Sequence, residues 1–266
     1  SNIDELLIAV KNTTEFNDFE IDGSINLKLK VLSVNIDWNI PLNAKVKLLD
    51  EGFEASIKIG AIPVIPGVND DTPYKAGNTV SGIYSALNRI LNVYIKDNMV
   101  YFHRSEEVPV FLVNNRIYEK KLKIHIDTLL NDPLYYVLQY GFGFSDSIMS
   151  EINKSFKKER ENPLDYSNIL KDFSSSSNAY SLTLNLKELA ENNKLDTMTL
   201  GVITKMFNKK SIIGAINFNM YMPLTDNVNI TLSSNELLHK NIGQTINFDN
   251  VYEYINNNSH YKEGAE

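Results

Sequence analysis

Four histidines are the residues best suited to chemistry near neutral pH, and their spacing offers little. His103 ends a strand-like run, His125 sits between Lys123 and Asp127, and His239 and His260 lie near the C-terminus. No pair falls at i, i+3 or i+4, so the sequence supports no local metal site. The acidic "NDDT" at 69–72 has oxygen ligands for calcium but not the spacing of a known calcium loop. "GFGFSD" at 141–146 opens like a dinucleotide fingerprint, yet it lacks the third glycine and follows a helical pattern rather than a strand. It reads as a helix break with aromatic packing. There is no G-x-S-x-G elbow, no Walker loop and no H-E-x-x-H. A hydrolase would have to assemble from distant residues such as "NDDT" or the "SEE" at 105–107. The expectation is therefore a protein that is not an enzyme, with no catalytic residue, no metal and no cofactor.

The stronger signal is apolar patterning. In "INLKLKVLSVNIDWNIPLNAKV", residues 25–46, apolar residues fall on every second position. They are odd from Ile25 to Val31, then even from Leu32 onward. Period two means strand. The even run reaches Leu48, 17 residues in all. At about 3.3 Å per residue it would span roughly 55 Å, against about 45–50 Å for a compact domain of this length. The run must therefore be divided, and the sequence suggests a β-bulge at Val31/Leu32 and a bend, edge or loop at Pro41. Burying Val34, Ile36, Trp38, Ile40 and Leu42 is worth on the order of 10 kcal/mol, comparable to a domain's whole net stability. That face must be covered. Trp38, the only tryptophan, is either core or the wall of a ligand cavity.

Candidate covers follow along the chain. Residues 1–13 read as an N-terminal helix with Ile3, Leu6, Leu7 and Val10 on one face. Residues 19–126 read mainly as strands, with a "DEG" turn at 50–52 and a hairpin in "NVYIKDNMVYFHR". A helical pattern interrupts them at 79–91, after a loop broken by three prolines. A helical block is expected at 132–172, with helix starts at Asp132-Pro133, Ser145 and Asn162-Pro163. It supplies Tyr135, Tyr136, Leu138, Phe142, Phe144 and Phe156. "SSSS" at 174–177 reads as a polar connector, 180–233 as strands with one helical turn, and 256–266 as a disordered tail. The whole is one domain of α+β class: a long curved antiparallel sheet, a half-barrel, with helices packed on its concave face. A cavity between the layers would be lined by Val34, Ile36, Trp38, Ile40, Leu42, Tyr136, Phe142 and Phe144, and would hold a lipid or another apolar small molecule.

Composition narrows the partners. A net charge of −7 argues against a nucleic-acid binder and against non-specific attraction to anionic membranes. The absence of cysteine excludes thiol catalysis, disulfides and thiolate metal sites. No apolar run is long enough to span a bilayer as a helix. The 34 asparagines reflect an AT-rich genome rather than chemistry. The opening Ser1-Asn2 reads as a tag remnant, which leaves room for an export signal upstream.

Three stretches also resemble a known group. "IDELLIAVKNTTEFNDFEIDGSINLKLKV" is similar to the start of many exported bacterial lipoproteins: a short helix, a polar break, then a long alternating strand. "NVYIKDNMVYFHR" is similar to their recurrent hairpin. "YSLTLNLKELAENNKLDTMTLGVITK" with "SIIGAINFNMYM" resembles their C-terminal unit. The group is the LolA/LppX-like superfamily of lipoprotein carriers and lipid-binding surface lipoproteins. The resemblance implies a half-barrel closed by helices, an apolar cavity and export to the cell surface. It also implies peripheral membrane attachment through a lipid anchor upstream of residue 1, and other envelope proteins as partners. If the 132–172 block filled the cavity, the same fold would instead be a structural or interaction protein of the envelope without a ligand.

Overall fold

The structure, a computed structural model, describes residues 2–31, 33–60, 62, 69, 89–110, 113–153, 167, 169–186, 197–257 and 261–263. Its elements in chain order begin with α1 (Asn2–Thr14), β1 (Asp18–Val31), β2 (Val34–Leu48), β3 (Phe53–Ile59), β4 (Ile90–Lys96), β5 (Met99–Val110) and β6 (Val113–His125). Helical segments follow: α2 (Ile126–Asn131), α3 (Pro133–Tyr136) running into a π-helical turn over Val137–Gly141, and α4 (Asp146–Asn153). Then come β7 (Leu170–Ser176), β8 (Ala179–Asn185), β9 (Thr197–Phe207), β10 (Lys210–Thr225), β11 (Val228–Ser234), β12 (Leu237–Lys240), α5 (Asp249–Asn257) and β13 (Lys262–Glu263). The fold is mostly antiparallel sheet with few helices, and the sheet does not close into a barrel. The chain divides into two compact units, one of residues 1–52 with 155–246 and the other of 53–154 with 247–266.

In the first unit the strand order is β2-β1-β11-β10-β9-β8-β7, with β12 pairing both β1 and β10. The parity switch at Val31/Leu32 is not a bulge. β1 and β2 form one antiparallel hairpin, with Val31 opposite Val34, Leu29 opposite Ile36 and Leu27 opposite Trp38. Every pair joins an odd residue to an even one, so odd apolar positions in β1 and even ones in β2 share a face. A tight reversal demands that change of parity. Pro41 introduces no break either; it stands opposite Ser24 in unbroken register, its fixed φ being compatible with extended backbone. The long run fits the molecule because it is folded in two. Apolar rows cross the strands, one through Met198, Met220, Leu232, Leu27 and Trp38. Another runs through Met222, Ile230, Leu29 and Ile36. Met222, Ile230 and Leu29 are fully buried.

Helix α1 carries Asp4 and Glu5 in its first turn and Lys11 in its last, matching the helix dipole. Its inward face is the predicted one only in part. Leu6, Ala9 and Thr13 are buried, whereas Leu7 is 57% exposed and Val10 36%. Ala9, fully buried, lets the helix lie close to its neighbours, and Leu6 packs with Tyr180 and Val202. At the other side, β12 passes over Gly23. A Cβ there would stand 2.9 Å from Leu237 Cδ2 and 3.0 Å from the Glu236 carbonyl, so only glycine admits the crossing.

In the second unit the order is β13-β6-β5-β4-β3, antiparallel except that β13 pairs β6 in parallel. The β4–β5 hairpin turns at Asp97-Asn98, both in the left-handed region (φ 52° and 62°), as a two-residue primed turn requires. His125 caps α2 by accepting from the Asp127 N–H, and Ser145 Oγ accepts from the Ile148 N–H to start α4. In the "GFGF" stretch Gly143 takes φ +72°, and Asn69 Nδ2 donates to the Phe142 carbonyl.

Four sequence expectations need correction. Ile90 and Leu91 open β4 rather than ending a helix; residues 79–88 of that expectation lie outside the described residues. Within 132–172, Leu170–Asp172 belong to β7, paired with β8, and residues 154–166 are outside the described set. "SSSS" is no connector: Ser174–Ser176 lie in β7 and Ser177 turns the hairpin at φ 55°. The cross-strand partners Ser181, Tyr180 and Ala179 hold the segment extended. The tail is ordered at residues 256–257, in α5, and at 261–263; Tyr261 is buried with its ring 5.1 Å edge-on to Tyr101.

Candidate functional site

The site grows from one irregularity in β10. Between Ile213 and Ala215 the register against β9 shifts, leaving Gly214 as the extra residue of a bulge. A bulge takes backbone groups out of the ladder, and both groups of Ile213 are met by side chains. Its N–H donates to Thr13 Oγ1 at 2.9 Å, while its carbonyl accepts from His239 Nδ1 at 2.8 Å. Thr13 in turn donates to the Ala9 carbonyl at 2.6 Å, and Asn12 Nδ2 donates to the Ser211 carbonyl at 2.8 Å. The C-terminal half of α1 is thus fastened to the bulged strand through two hydrogen bonds, at Thr13 and Asn12, while His239 ties β12 to the same bulge.

Between helix, bulge and β12 lies a partly open pocket of about 210 Å³. Val10, Phe19, Ile21, Ile216, Leu237 and Ala215 form its apolar walls, with Thr13 and His239 at its polar edge. Its walls therefore offer shape and apolar surface but few directional contacts. His239 is 6% exposed and edge-on to Phe19. Because Nδ1 carries the proton given to Ile213, Nε2 is a bare acceptor, and it is buried with no hydrogen-bond partner. Burial pushes this imidazole below its ordinary pKa of 6.5; the Ile213 carbonyl opposes that shift and Lys205 reinforces it. The unfolded chain therefore takes up the proton first, and this contribution to stability is lost as pH falls below about 6.5. Nearby Glu20 is also shifted downward, for a different reason. Burial raises its pKa, but hydrogen bonds from Asn43 and Asn241 and the charge of Lys45 bring it below 4.5. Its contribution is lost only at more acid pH. Between pH 7 and 5 the melting temperature of the first unit is accordingly expected to drop, and His239→Gln is expected to flatten that drop. Circular dichroism melts across the range test this.

None of the eight residues expected from sequence lines this pocket. Ile36, Trp38, Ile40 and Leu42 sit on β2 in the first unit, Ile40 fully buried and the others half-buried. The Val34 side chain is outside the described set. Tyr136, Phe142 and Phe144 belong to the second unit. There Tyr136 lies edge-on to Tyr140, itself edge-on to Phe102, and Phe142 tilts against Phe144. The sequence does carry a signal for the pocket. In "SIIGAINFNM" the apolar parity changes across Gly214, and Leu237 and His239 are spaced as two inward residues of one strand.

The other histidines build nothing comparable. His103 is buried with Nε2 3.2 Å from Glu119, His125 is a helix cap, and His260 lies outside the described residues. Among the described residues no group of acidic and histidine side chains could hold a metal, and no helix is long and apolar enough to cross a membrane. The chain matches no protein-family model, no curated protein and no solved structure.

Proposed function

We propose that this is a non-enzymatic, exported cell-surface lipoprotein that binds a lipid or other apolar ligand, in a fold of the half-barrel kind closed by helices. The observation that carries the reading is the pocket under α1. A dry cavity of about 150 Å³ takes up benzene, whereas drug-sized ligands occupy roughly 300–1,000 Å³. A pocket of 210 Å³ thus suits one ring or a short stretch of acyl chain rather than a whole phospholipid. A naphthalene-based fluorescent probe is expected to bind the wild-type protein. Ala215→Phe, which projects a ring into the pocket, is expected to weaken that binding at least tenfold. Native mass spectrometry should find an apolar compound in organic extracts of the purified protein. Equal probe binding by the variant, or no binding by either protein, rejects the reading.

A second reading is a structural or interaction protein of the envelope. It is favoured by Leu7 and Ile8, which α1 turns outward at 57% and 54% exposure. Under this reading Leu7→Lys abolishes co-purification of an envelope partner while leaving probe binding intact.

A further inference from the structure

The polar face of the first unit's sheet carries a second concavity, on the side opposite the apolar rows. It is an open groove of about 470 Å³, within the usual size of a ligand site. Leu29 and Ile36 contribute to its floor, and strand alternation places the other side chains on this face: Lys28 and Lys30 from β1, Asn35 and Asp37 from β2, Asn229 and Thr231 from β11, and Tyr221 from β10. Register gathers them into two adjacent rows. Asp37 lies opposite Lys28, Lys28 opposite Thr231, and Thr231 opposite Tyr221. Asn35 lies opposite Lys30, and Lys30 opposite Asn229.

Three properties of this groove go beyond those of a solvated sheet face. Tyr221 is 54% exposed and presents an aromatic ring amid polar neighbours, where no core requires it. Such a ring offers its face to C–H groups while its hydroxyl stays wet. Lys28 and Lys30 have no ion-pair partner among the described residues, and they stand two positions apart on one strand in a chain of net charge −7. Neighbouring cations in a concave surface concentrate anions. Asp37 is held by Asn26, whose Nδ2 donates to Oδ1 at 2.9 Å, and Asn35, Asn229 and Thr231 add amide and hydroxyl groups that can both donate and accept. A ring to stack on, a fan of hydroxyl partners and two free ammonium groups match one chemical class, a polyhydroxylated ring bearing negative charge.

We propose that this groove binds an acidic glycan, with the sugar ring stacked on Tyr221 and its carboxylate or phosphate held by Lys28 and Lys30. Isothermal titration with trigalacturonate, a glucose phosphate and maltotriose tests this and separates the two anionic groups. At least one acidic sugar is expected to bind ten or more times tighter than neutral maltotriose. Tyr221→Ala and the double variant Lys28→Gln/Lys30→Gln are each expected to weaken it tenfold or more. Because these side chains are exposed, melting temperature and binding of the apolar probe should stay at wild-type values. The proposal is overturned if neither acidic sugar binds, or if maltotriose binds as tightly. It is also overturned if Tyr221→Ala binds the acidic sugar like the wild type, which would leave a bare anion site.

Discussion

Ile230→Ala is expected to lower the stability of the first unit by about 2–5 kcal/mol, the range for removing most of a buried branched side chain. Ile230 is 1% exposed, at the centre of the row that joins Met222 on β10 to Leu29 on β1. Those two neighbours are 0% and 3% exposed, and both are held by long ladders. They cannot collapse into the space left behind, which places the loss toward the upper part of the range. Urea denaturation should show a lower midpoint with an unchanged slope. Thr231→Ala, the next residue and on the polar face, should shift stability by no more than about 0.5 kcal/mol. Equal effects from the two substitutions would falsify the assignment of faces.

The second large effect is expected at Thr13→Val. Valine nearly matches threonine in shape but has no hydroxyl, so the Ile213 N–H loses its acceptor. Leaving a buried N–H unmet costs about 1–3 kcal/mol. Probe binding should fall tenfold or more as α1 loosens, and hydrogen exchange at the Ile213 amide should accelerate. Thr13→Ser, which retains the hydroxyl, should restore both. Wild-type exchange in the valine variant would mean that Thr13 does not hold the helix to the bulge.

Much of the sheet was legible because period two is hard to mistake. The hairpin at Asp97-Asn98 and the long strands β1, β2, β10 and β11 follow directly from alternation and turn chemistry. Helix α1 was legible as an element, but its phase was not. Leu6, Leu7 and Val10 satisfy helical spacing equally well on two overlapping faces, and the small Ala9 decides between them by allowing close approach. The hairpin at Val31/Val34 was misjudged because a tight reversal and a bulge leave the same trace in the sequence, a change of apolar parity. The pocket was missed for a related reason. Its polar anchors are single hydroxyl and imidazole groups that bind backbone, and no spacing rule marks a threonine in a helix as the partner of an amide 200 residues away. The octet chosen from hydrophobicity drew on both compact units, because apolar character says that a side chain is covered and not by what.

The bulge at Gly214 has an implication for insertion and deletion. Ile213 already stands opposite Thr204 and Ala215 opposite Ile203, so removing Gly214 would shorten β10 by a residue without changing a single cross-strand partner or turning any side chain to the wrong face. A shortened chain would keep its sheet and its core, and lose only the freed backbone pair that Thr13 and His239 grasp. One residue at this position therefore separates a plain sheet from one that grips a helix and opens a pocket beneath it.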